Sequence, residues 1–324
     1  MRQCDNTRSR LEIIVFCSIV IPTHNRETIL DRTLGSVAQV QLPTDVKVEL
    51  IVVANACTDC TVAVVEKHAT QFPFPIRCVQ EPVPGLGVAR NRCVREAAGD
   101  IVAFLDDDVQ LDHEWLVAIC EGFRDYPEHG VMSGRVTLWW EAVSRPEWLS
   151  PEIEWVLSSN ECGNECIEIA LPSNVIGANF AIRRTVWDQI GPFRHDLDRI
   201  GQSLLGGGEI EFLYRAKWAN IRGKYLPRAH ILHWVAPKRV TEDYFRNVAF
   251  GSGMSRVIMK PKYTPVTYLR ALVGFTYLAI RHGTLGLFAA IRKDKSRQMI
   301  HMVRRLIGTG GLTALCRRTF GRAA

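Results

Sequence analysis

The sequence lacks any long hydrophobic run. A transmembrane helix needs about 20 consecutive apolar residues, and the most apolar stretches, residues 11–21 and 269–280, are shorter. The first of them contains Glu12 and Ser18, ends at Pro22 and has no small-residue cleavage site. We therefore interpret it as a buried strand, and neither as a signal peptide nor as a membrane span.

The sequence also lacks a disulfide framework. Its ten cysteines are scattered without regular spacing, which is typical of a protein from a reducing compartment. One alternative is a four-cysteine zinc site made from the pairs Cys57/Cys60 and Cys162/Cys166, although these pairs lie far apart in the sequence. The sequence contains neither internal repeats nor low-complexity segments. It also has no Ser-His-Asp or Cys-His motif of the kind that supplies a covalent nucleophile.

What is present is an ordinary globular composition with an uneven charge. The 324 residues are 47% hydrophobic and 23% charged, which suits one large domain or two smaller ones. The net charge is +6, and residues 281–324 contain ten Lys or Arg against one acidic residue. Because these charges alternate with Leu, Ile, Val and Phe, they favour an anionic membrane surface or a packed helix over nucleic acid.

Strand patterns alternate with helical patterns through the first 112 residues. Strands are predicted at residues 13–21, 48–54, 76–80 and 101–105, with helices between them. This alternation indicates a parallel sheet with right-handed crossovers. The fourth strand is apolar at every position, so it should be buried on both faces.

Three carboxylates, Asp106, Asp107 and Asp108, directly follow that fourth strand. Ligands of open α/β sheets bind at the carboxyl ends of the strands. Carboxylate oxygens suit Mg²⁺ or Mn²⁺, and Mg²⁺ commonly bridges carboxylates to substrate phosphates. The alternative interpretation of the triplet is a solvated acidic turn.

The second half of the chain is less regular. A helix at 115–123, strands at 131–137 and 177–183, a loop at 201–208, a helix at 209–219 and short strands at 221–226 and 229–235 are predicted. Residues 138–172 are rich in Trp and Pro without periodicity, which is typical of a lid or a binding surface. Residues 264–320 should form two or three helices, interrupted at Arg281-His-Gly283.

Taken in order, these segments resemble glycosyltransferase family 2, whose members have the GT-A fold. The resemblance runs from about residue 17 to about residue 256, and the order and spacing of its motifs make it specific. The motifs are Cys17-Ser-Ile-Val-Ile-Pro-Thr-His-Asn-Arg26, Leu50-Ile-Val-Val-Ala-Asn-Ala-Cys-Thr-Asp-Cys-Thr61, Gly85-Leu-Gly-Val-Ala-Arg-Asn91, Phe104-Leu-Asp-Asp-Asp108, Gly177-Ala-Asn-Phe-Ala-Ile-Arg183 and Gly208-Glu-Ile-Glu-Phe212. His233, Tyr244-Phe-Arg246 and Gly251-Ser-Gly253 resemble the closing segment of bacterial members.

The resemblance implies an α/β fold: the GT-A, doubly wound mixed sheet of nucleotide-diphospho-sugar transferases, followed by a helical C-terminal region. The GT-A domain is expected at residues 1–262, with a donor half at 13–112 and an acceptor half at 113–262. The basic helical region, residues 263–324, is expected to make peripheral contact with an anionic membrane. We therefore expect a cytoplasmic protein, peripheral at the inner face of the cell membrane.

The resemblance also implies an inverting, metal-dependent transfer of a sugar from a nucleoside-diphosphate sugar to an acceptor hydroxyl. Direct displacement needs no enzyme nucleophile, which agrees with the missing elbow motifs. A divalent cation, Mg²⁺ or Mn²⁺, would neutralise the departing diphosphate. The acceptor is expected to be a saccharide or lipid-linked, in cell-surface polysaccharide or glycolipid synthesis, and no nucleic-acid partner is expected.

Site residues are carried over position by position. The resemblance assigns the metal ligands to Asp106, Asp108 and His233, and the acceptor side to Asn179 and Arg183. It assigns donor binding to Pro22, Thr23, Asn25, Arg26, Glu27, Asn55, Asp59, Arg90, Asp106 and Asp107. The family often has an acidic residue where Ala54 stands, so recognition of the base should fall to Asp59 or Asn55.

The catalytic base is expected among Glu209 and Glu211, because Ile210 stands where the family commonly has Asp. Residues two apart on a helix point about 200° away from each other, so only one of the two carboxylates can face the pocket. Glu209 shares the stripe of Phe212 and Ala216. We therefore predict that Glu209 is the general base and that Glu211 faces solvent or Arg215. A helix-capping role is the alternative for Glu209.

Two other classes of protein remain as alternatives. The first is a nucleotide-sugar-binding or membrane scaffold that kept the fold and lost the base. The second is a dinucleotide oxidoreductase, suggested by Gly85-Leu-Gly87. That motif lacks its third glycine and follows the third strand instead of the first, which disfavours the second class.

Overall fold

The computed structural model describes residues 15–197, 206–260 and 262–320. Its strands are β1 (Val15–Thr23), β2 (Val46–Asn55), β3 (Ile76–Glu81), β4 (Ile101–Leu105), β5 (Val109–Leu111), β6 (His129–Trp139), β7 (Ile167–Ile169), β8 (Asn179–Arg183) and β9 (Arg222–Trp234). Its α-helices are α1 (Glu27–Val37), α2 (Thr61–Ala69), α3 (Leu86–Glu96), α4 (Trp115–Asp125), α5 (Arg184–Ile190), α6 (Gly208–Trp218), α7 (Glu242–Ile258), α8 (Pro265–Ile291) and α9 (Lys295–Phe320). Short 3-10 helices occupy Pro151–Leu157 and Pro237–Arg239.

One mixed sheet organises the molecule. The strand order is β3-β2-β1-β4-β8-β6-β9-β5, with β7 paired to β9. The first four strands are mutually parallel, whereas β8 is antiparallel to both β4 and β6. Helices α1, α2 and α4 cover one face of the sheet, and α3, α5 and α6 cover the other. The predicted α/β class and mixed sheet are therefore confirmed, and β4 is buried along its whole length as predicted.

Two parts of the predicted pattern differ from the structure. The two short strands predicted at 221–226 and 229–235 are a single strand, β9, because a register shift opposite Gly134 and Arg135 absorbs residues 227–229. The segment 138–172 is not wholly irregular, since it contains a 3-10 helix and β7. Parts of two other predictions, residues 13–14 of the first strand and 201–205 of the glycine-rich loop, lie outside the described residues.

The C-terminal region forms two long helices. The predicted interruption at Arg281-His-Gly283 is wrong, because α8 continues through it to Ile291. Helix α9 packs against α7 and the first 3-10 helix through an apolar cluster that includes Val303, Ile307 and Phe245. It is separate from the two clusters on the faces of the sheet, and we call it the third cluster. Within the described ranges, no helix has both the length and the apolarity needed to cross a membrane.

Candidate active site

Three predicted metal ligands converge at the carboxyl end of β4. Asp106 and Asp108 follow β4 directly, and the pairing of β5 with β9 sets His233 opposite Val109. The His233 Nε2 atom lies 3.3 Å from Asp108 Oδ1 and 4.0 Å from Asp106 Oδ2. One ligand atom from each of the three residues falls within 4.8 Å of the others, and no other such group of three or more occurs among the described residues.

This group has the chemistry of a cation site. The side chains of His233 and Asp108 are each 1% exposed. In the described part of the chain, both imidazole nitrogens and Asp108 Oδ1 are buried and none makes a hydrogen bond of regular geometry, whereas buried polar atoms are normally satisfied. Carboxylate oxygens suit Mg²⁺ or Mn²⁺, and an imidazole is a ligand for divalent transition metals. The residues present therefore fit a divalent cation, whereas the four cysteines of the zinc alternative form no such group in the described part of the chain.

Two arginines balance the buried carboxylates. Arg26 Nη1 lies 2.8 Å from Asp107 Oδ1, and its Nη2 lies 2.7 Å from Asp108 Oδ2. Arg239, in the second 3-10 helix, lies 3.5 Å from the same Asp108 oxygen. Burial alone would raise the pKa of Asp108, but the charges of His233, Arg239 and Arg26 hold it well below its usual range. Asp108 is therefore ionised and its charge is compensated.

Asp107 is buried and does not belong to the group formed by Asp106, Asp108 and His233. Its Oδ2 accepts a hydrogen bond of 2.6 Å from Thr23, and its Oδ1 pairs with Arg26. Burial, reinforced by the charges of Asp108 and Asp106, raises the pKa of Asp107 to about 7 against the opposing pull of Arg26. Asp107 therefore fastens the end of β1 to the end of β4, and its contact with a donor stays a prediction.

Apart from Arg90, the other predicted donor residues lie together at the carboxyl ends of β1 and β2, where they fasten two loops. Asn25 Oδ1 accepts a hydrogen bond of 2.7 Å from the Thr58 amide, and Glu27 Oε2 accepts one of 2.5 Å from the Cys60 amide. Asp59 Oδ2 accepts from the Glu27 amide.

The amide of Asn55 holds the turn before α3. It donates to Val83 O at 2.6 Å and accepts from Gly85 N at 2.9 Å. Pro22 lies in β1 beside Val53 of β2. These predicted residues therefore lie at one edge of the sheet, and their hydrogen bonds fix the loops that follow β1 and β2.

Arg90 links the cation group to the predicted base. Its Nη1 lies 3.1 Å from Glu209 Oε2, its Nη2 donates to Gly177 O at 3.3 Å, and Nη2 is 3.9 Å from Asp106 Oδ1. The Arg90 side chain is only 4% exposed, whereas the Glu209 carboxylate is 22% exposed. A Cβ at Gly177 would lie 2.4 Å from Arg90 Nη2. Glycine at that position therefore makes room for the guanidinium.

Glu211 occupies a different environment. Its side chain is 6% exposed and accepts hydrogen bonds of 3.0–3.1 Å from Arg215, four residues later. Arg215 also donates to the carbonyls of Gly191 and Pro192. Of the two alternatives predicted for Glu211, the pairing with Arg215 is confirmed and exposure to solvent is wrong, because the side chain is buried beside Arg215.

The two predicted acceptor residues support the sheet. Asn179 is buried, accepts from Trp115 Nε1 at 2.9 Å, and donates to Arg135 O and Ala229 O at 2.9 and 2.8 Å. It thereby satisfies the carbonyls at the β6–β9 register shift. The Arg183 guanidinium donates hydrogen bonds to the backbone carbonyls of His129 and Phe123. Neither side chain is directed to the carboxylate cluster, so their predicted contact with the acceptor finds no support in their positions.

The described part of the chain also contains a polar cavity of about 500 Å³. It is bounded by Ile176, the residue before Gly177, and by the segment 138–172 that was predicted as a lid or binding surface. Its lining carries carboxylates, amides and one indole. The lining residues are Pro151, Glu154, Trp155, Ser159, Asn160, Glu161, Cys162, Asn174 and Ile176.

The sheet order and the aspartates that end β4 define a GT-A protein. The chain shares its fold with the mannosyltransferase PcManGT from Pyrobaculum calidifontis, solved with GDP-Man and Mn²⁺, at a TM-score of 0.61 and 19% identity, over 92% of this chain and 86% of that one. It also resembles the Staphylococcus aureus TarS structure with UDP, at a TM-score of 0.53 and 18% identity, over 94% of this chain and 91% of that one.

The sequence then gives the family. The profile described as Glycosyl transferase family 2 matches residues 18–190, which is more than half of the chain. The chain therefore belongs to glycosyltransferase family 2, as its motifs predicted.

Curated relatives agree with this family. A glucosyl-dolichyl phosphate glucuronosyltransferase of Haloferax volcanii is 24% identical over 181 residues, which are 55% of this chain and 57% of that protein. The succinoglycan biosynthesis protein ExoM of Rhizobium meliloti is 35% identical over 95 residues, 29% of this chain and 31% of that protein. The chain thus spans between about a third and somewhat over half of the length of these relatives.

Proposed function

We propose that this protein is an inverting glycosyltransferase that moves a sugar from a nucleoside-diphosphate sugar to an acceptor hydroxyl. The observation that carries the proposal is the continuous row from His233 through Asp108 and Asp106 to Arg90 and Glu209. It joins a cation-type group to a carboxylate suited to proton transfer, and we propose that this row lines the reaction cleft. Membership of family 2 supports the reaction class, and related structures hold GDP-Man, UDP and UDP-GlcNAc.

The donor end of the cleft binds the diphosphate. Asp106, Asp108 and His233 would hold a divalent cation, which supplies Lewis-acid neutralisation of the charge that develops on the leaving diphosphate. We assign the nucleoside to the edge formed by the loops after β1 and β2. Arg26 and Arg239 add positive charge around Asp108, and Arg239 is a functional candidate that the sequence patterns did not reveal.

The acceptor end of the cleft activates the hydroxyl. Glu209 would accept the proton of the acceptor hydroxyl as its oxygen bonds to the anomeric carbon. The bond from that carbon to the diphosphate oxygen breaks on the opposite side, and its electron pair leaves with the nucleoside diphosphate. Arg90 positions the Glu209 carboxylate by donating to it.

The cavity bounded by Trp155, Glu161 and Asn160 suits a saccharide, because an indole can stack on a sugar ring while carboxylates and amides bind hydroxyls. We propose that the acceptor is a saccharide or lipid-linked, and that the basic C-terminal region brings the protein to an anionic membrane at the cytoplasmic face. Such placement fits cell-surface polysaccharide or glycolipid synthesis.

Release of nucleotide tests this function. The purified chain is incubated with a panel of nucleoside-diphosphate sugars, and free nucleotide is measured with Mn²⁺ and with EDTA. We expect release from one donor class with Mn²⁺ and a loss of about two orders of magnitude in Asp108→Asn, the scale of one key electrostatic group. Asp125→Asn, an exposed carboxylate on α4, is the matched control.

Two results would contradict the proposal. Release that is indifferent to EDTA and to Asp108→Asn would remove the metal role. Donor binding without release from any member of the panel, and in the presence of saccharide acceptors, would favour the scaffold alternative.

A further inference from the structure

A second cavity, of about 530 Å³, lies between the end of α7 and the first half of α8. Of its described lining residues, three are cations and none is acidic. The remaining lining is aromatic, aliphatic or small. The lining residues are Arg256, Lys260, Tyr263, Thr267, Arg270, Ala271, Gly274, Phe275 and Leu278.

The basic cavity contains three cations, Arg256, Lys260 and Arg270. In the described ranges, no ion pair of 4.0 Å or less involves any of them, whereas Arg246 and Lys295 nearby both pair with Glu242. Three positive charges with no acidic partner among the described residues repel one another around one cavity, so they favour an anionic occupant.

Aromatic and backbone contacts hold the cavity in shape. The Lys260 Nζ atom lies 4.8 Å from the centre of the Tyr263 ring, and Arg318 of α9 lies 5.2 Å from the same ring. Arg318 also donates to Val257 O and Lys260 O, at 3.2 and 2.7 Å. The C-terminal end of α7 is thereby fastened to α9. The hydrogen bond to Lys260 O and the Tyr263 ring hold Lys260 in place without a ligand.

Beside the basic cavity, α8 presents an apolar face to the outside. Large apolar side chains that are 58–78% exposed recur at helical spacing along its 27 residues. Contiguous exposed apolar surface of this extent marks an interaction site. Arg270 follows Val266 by four residues and precedes Val273 by three, so it borders this face and the cavity at once. The exposed residues are Val266, Leu269, Val273, Tyr277, Ile280, Leu287, Phe288 and Ile291.

We infer that the basic cavity binds the phosphate headgroup of an anionic membrane lipid while the exposed face of α8 enters the lipid surface. Apolar side chains along one helix face with cations at their border are the pattern of an interfacial helix. Charge complementarity decides for a membrane over a second copy of this chain, whose basic cavity would repel its counterpart. This inference rests on the membrane contact proposed above and gives it a specific site.

The cavity also adjoins the catalytic side of the molecule. The Gly206 amide donates to Ser255 Oγ on α7 at 3.3 Å, and a Cβ on Gly207 would lie 2.4 Å from Met259 Cε. Gly207 directly precedes α6, which carries Glu209. A lipid phosphate in the basic cavity would therefore lie close to the segment that presents the proposed base.

The test compares two triple variants by vesicle flotation. The cavity variant combines Arg256→Gln, Lys260→Gln and Arg270→Gln. The control variant removes the same charge from exposed positions outside the C-terminal region, and combines Lys47→Gln, Arg95→Gln and Lys217→Gln. Each protein is floated with phosphatidylcholine vesicles that contain or lack phosphatidic acid, at one fixed ionic strength.

We expect wild type and the control variant to float with phosphatidic acid vesicles, and the cavity variant to bind them about a hundredfold more weakly. The double variant Val273→Asp, Ile280→Asp should lose vesicle binding as well. Equal weakening of both triple variants, or no flotation of wild type, would overturn the inference. So would tight, cavity-dependent binding of inorganic phosphate without vesicles.

Nucleotide release with a soluble donor separates this inference from the proposed function. The cavity variant and the Val273→Asp, Ile280→Asp variant should release nucleotide at the wild-type rate. If wild type floats as expected but releases no nucleotide, the transferase proposal fails and the lipid site stands.

Discussion

At the scale of single residues, the site depends on how one buried arginine is accommodated. The buried guanidinium of Arg90 contacts the carboxylates of Glu209 and Asp106 and donates a hydrogen bond to Gly177 O. This geometry requires that position 177 carry no Cβ. The Gly177 position therefore affects catalysis through Arg90, without contacting a substrate.

Gly177→Ala tests this dependence. The added Cβ displaces the flexible end of Arg90, so the fold should persist while Glu209 loses its partner. We expect turnover to fall by about tenfold to a hundredfold, as for misplacement by about 1 Å, with an unchanged melting temperature. Gly35→Ala on α1, where a Cβ meets nothing within 4 Å, is the control. Wild-type turnover in Gly177→Ala would show that Arg90 does not position the base.

From the residues alone, a role could be predicted only where the residues of a site are neighbours in the sequence. Asp106 and Asp108 stand in one short motif, and the resemblance extended that site to His233. The pairing of Arg90 with Glu209 joins residues 119 positions apart, and no spacing pattern reports such a contact. Arg239 lies on a three-residue 3-10 helix, which is too short to leave a periodic signal.

At the scale of elements, glycines allow the backbones of α7 and α9 to come into direct contact. A Cβ on Gly310 of α9 would lie 2.1 Å from Phe250 O on α7, and one on Gly253 of α7 would lie 2.1 Å from Ile307 O on α9. Both clashes involve backbone atoms, which a rotamer change cannot relieve. The two helices therefore need glycine at their crossing.

Gly310→Ala should destabilise this crossing. Overpacking costs about 1–3 kcal/mol, so the melting temperature should fall by several degrees. Gly274→Ala, at an exposed position on α8 where a Cβ meets nothing within 4 Å, should be neutral or stabilise by up to about 1 kcal/mol. Equal melting temperatures for the two variants, measured by calorimetry, would mean that α7 and α9 do not cross at this distance.

Elements were predictable where their pattern is long and continuous. Strands β1, β2 and β4 contain apolar runs with clear ends, whereas β5 and β7 have three residues each and show no period. The break predicted in α8 at Gly283 is absent because α8 packs along α9. The helical propensity of glycine is a weak signal when tertiary packing opposes it.

At the scale of the whole molecule, the helical region shares a core with the remainder of the chain. Met299, Val303 and Ile307 of α9 are buried in one cluster with Phe245 and Val248 of α7. We propose that the predicted boundary at 262/263 separates two roles, sugar transfer and surface attachment, that depend on one continuous core.

Truncation after residue 262 tests this dependence. It removes the α9 side chains from the third cluster, and burial of each contributes about 1.5–3 kcal/mol. We expect the amides of α7 to lose protection from hydrogen exchange, while those of β1, β2 and β4 keep theirs. Full protection of α7 in the truncated chain would show that the helical region is a separate domain.

The most direct test of the account compares Glu209→Gln with Glu211→Gln, scored for turnover and melting temperature. If Glu209 is the base, its variant should lose about 10²–10⁴-fold in turnover and melt like wild type, while Glu211→Gln, which weakens a buried pair with Arg215, should melt lower and keep most of its turnover. Loss of turnover in Glu211→Gln with unchanged melting, beside an active Glu209→Gln, would contradict the proposed site.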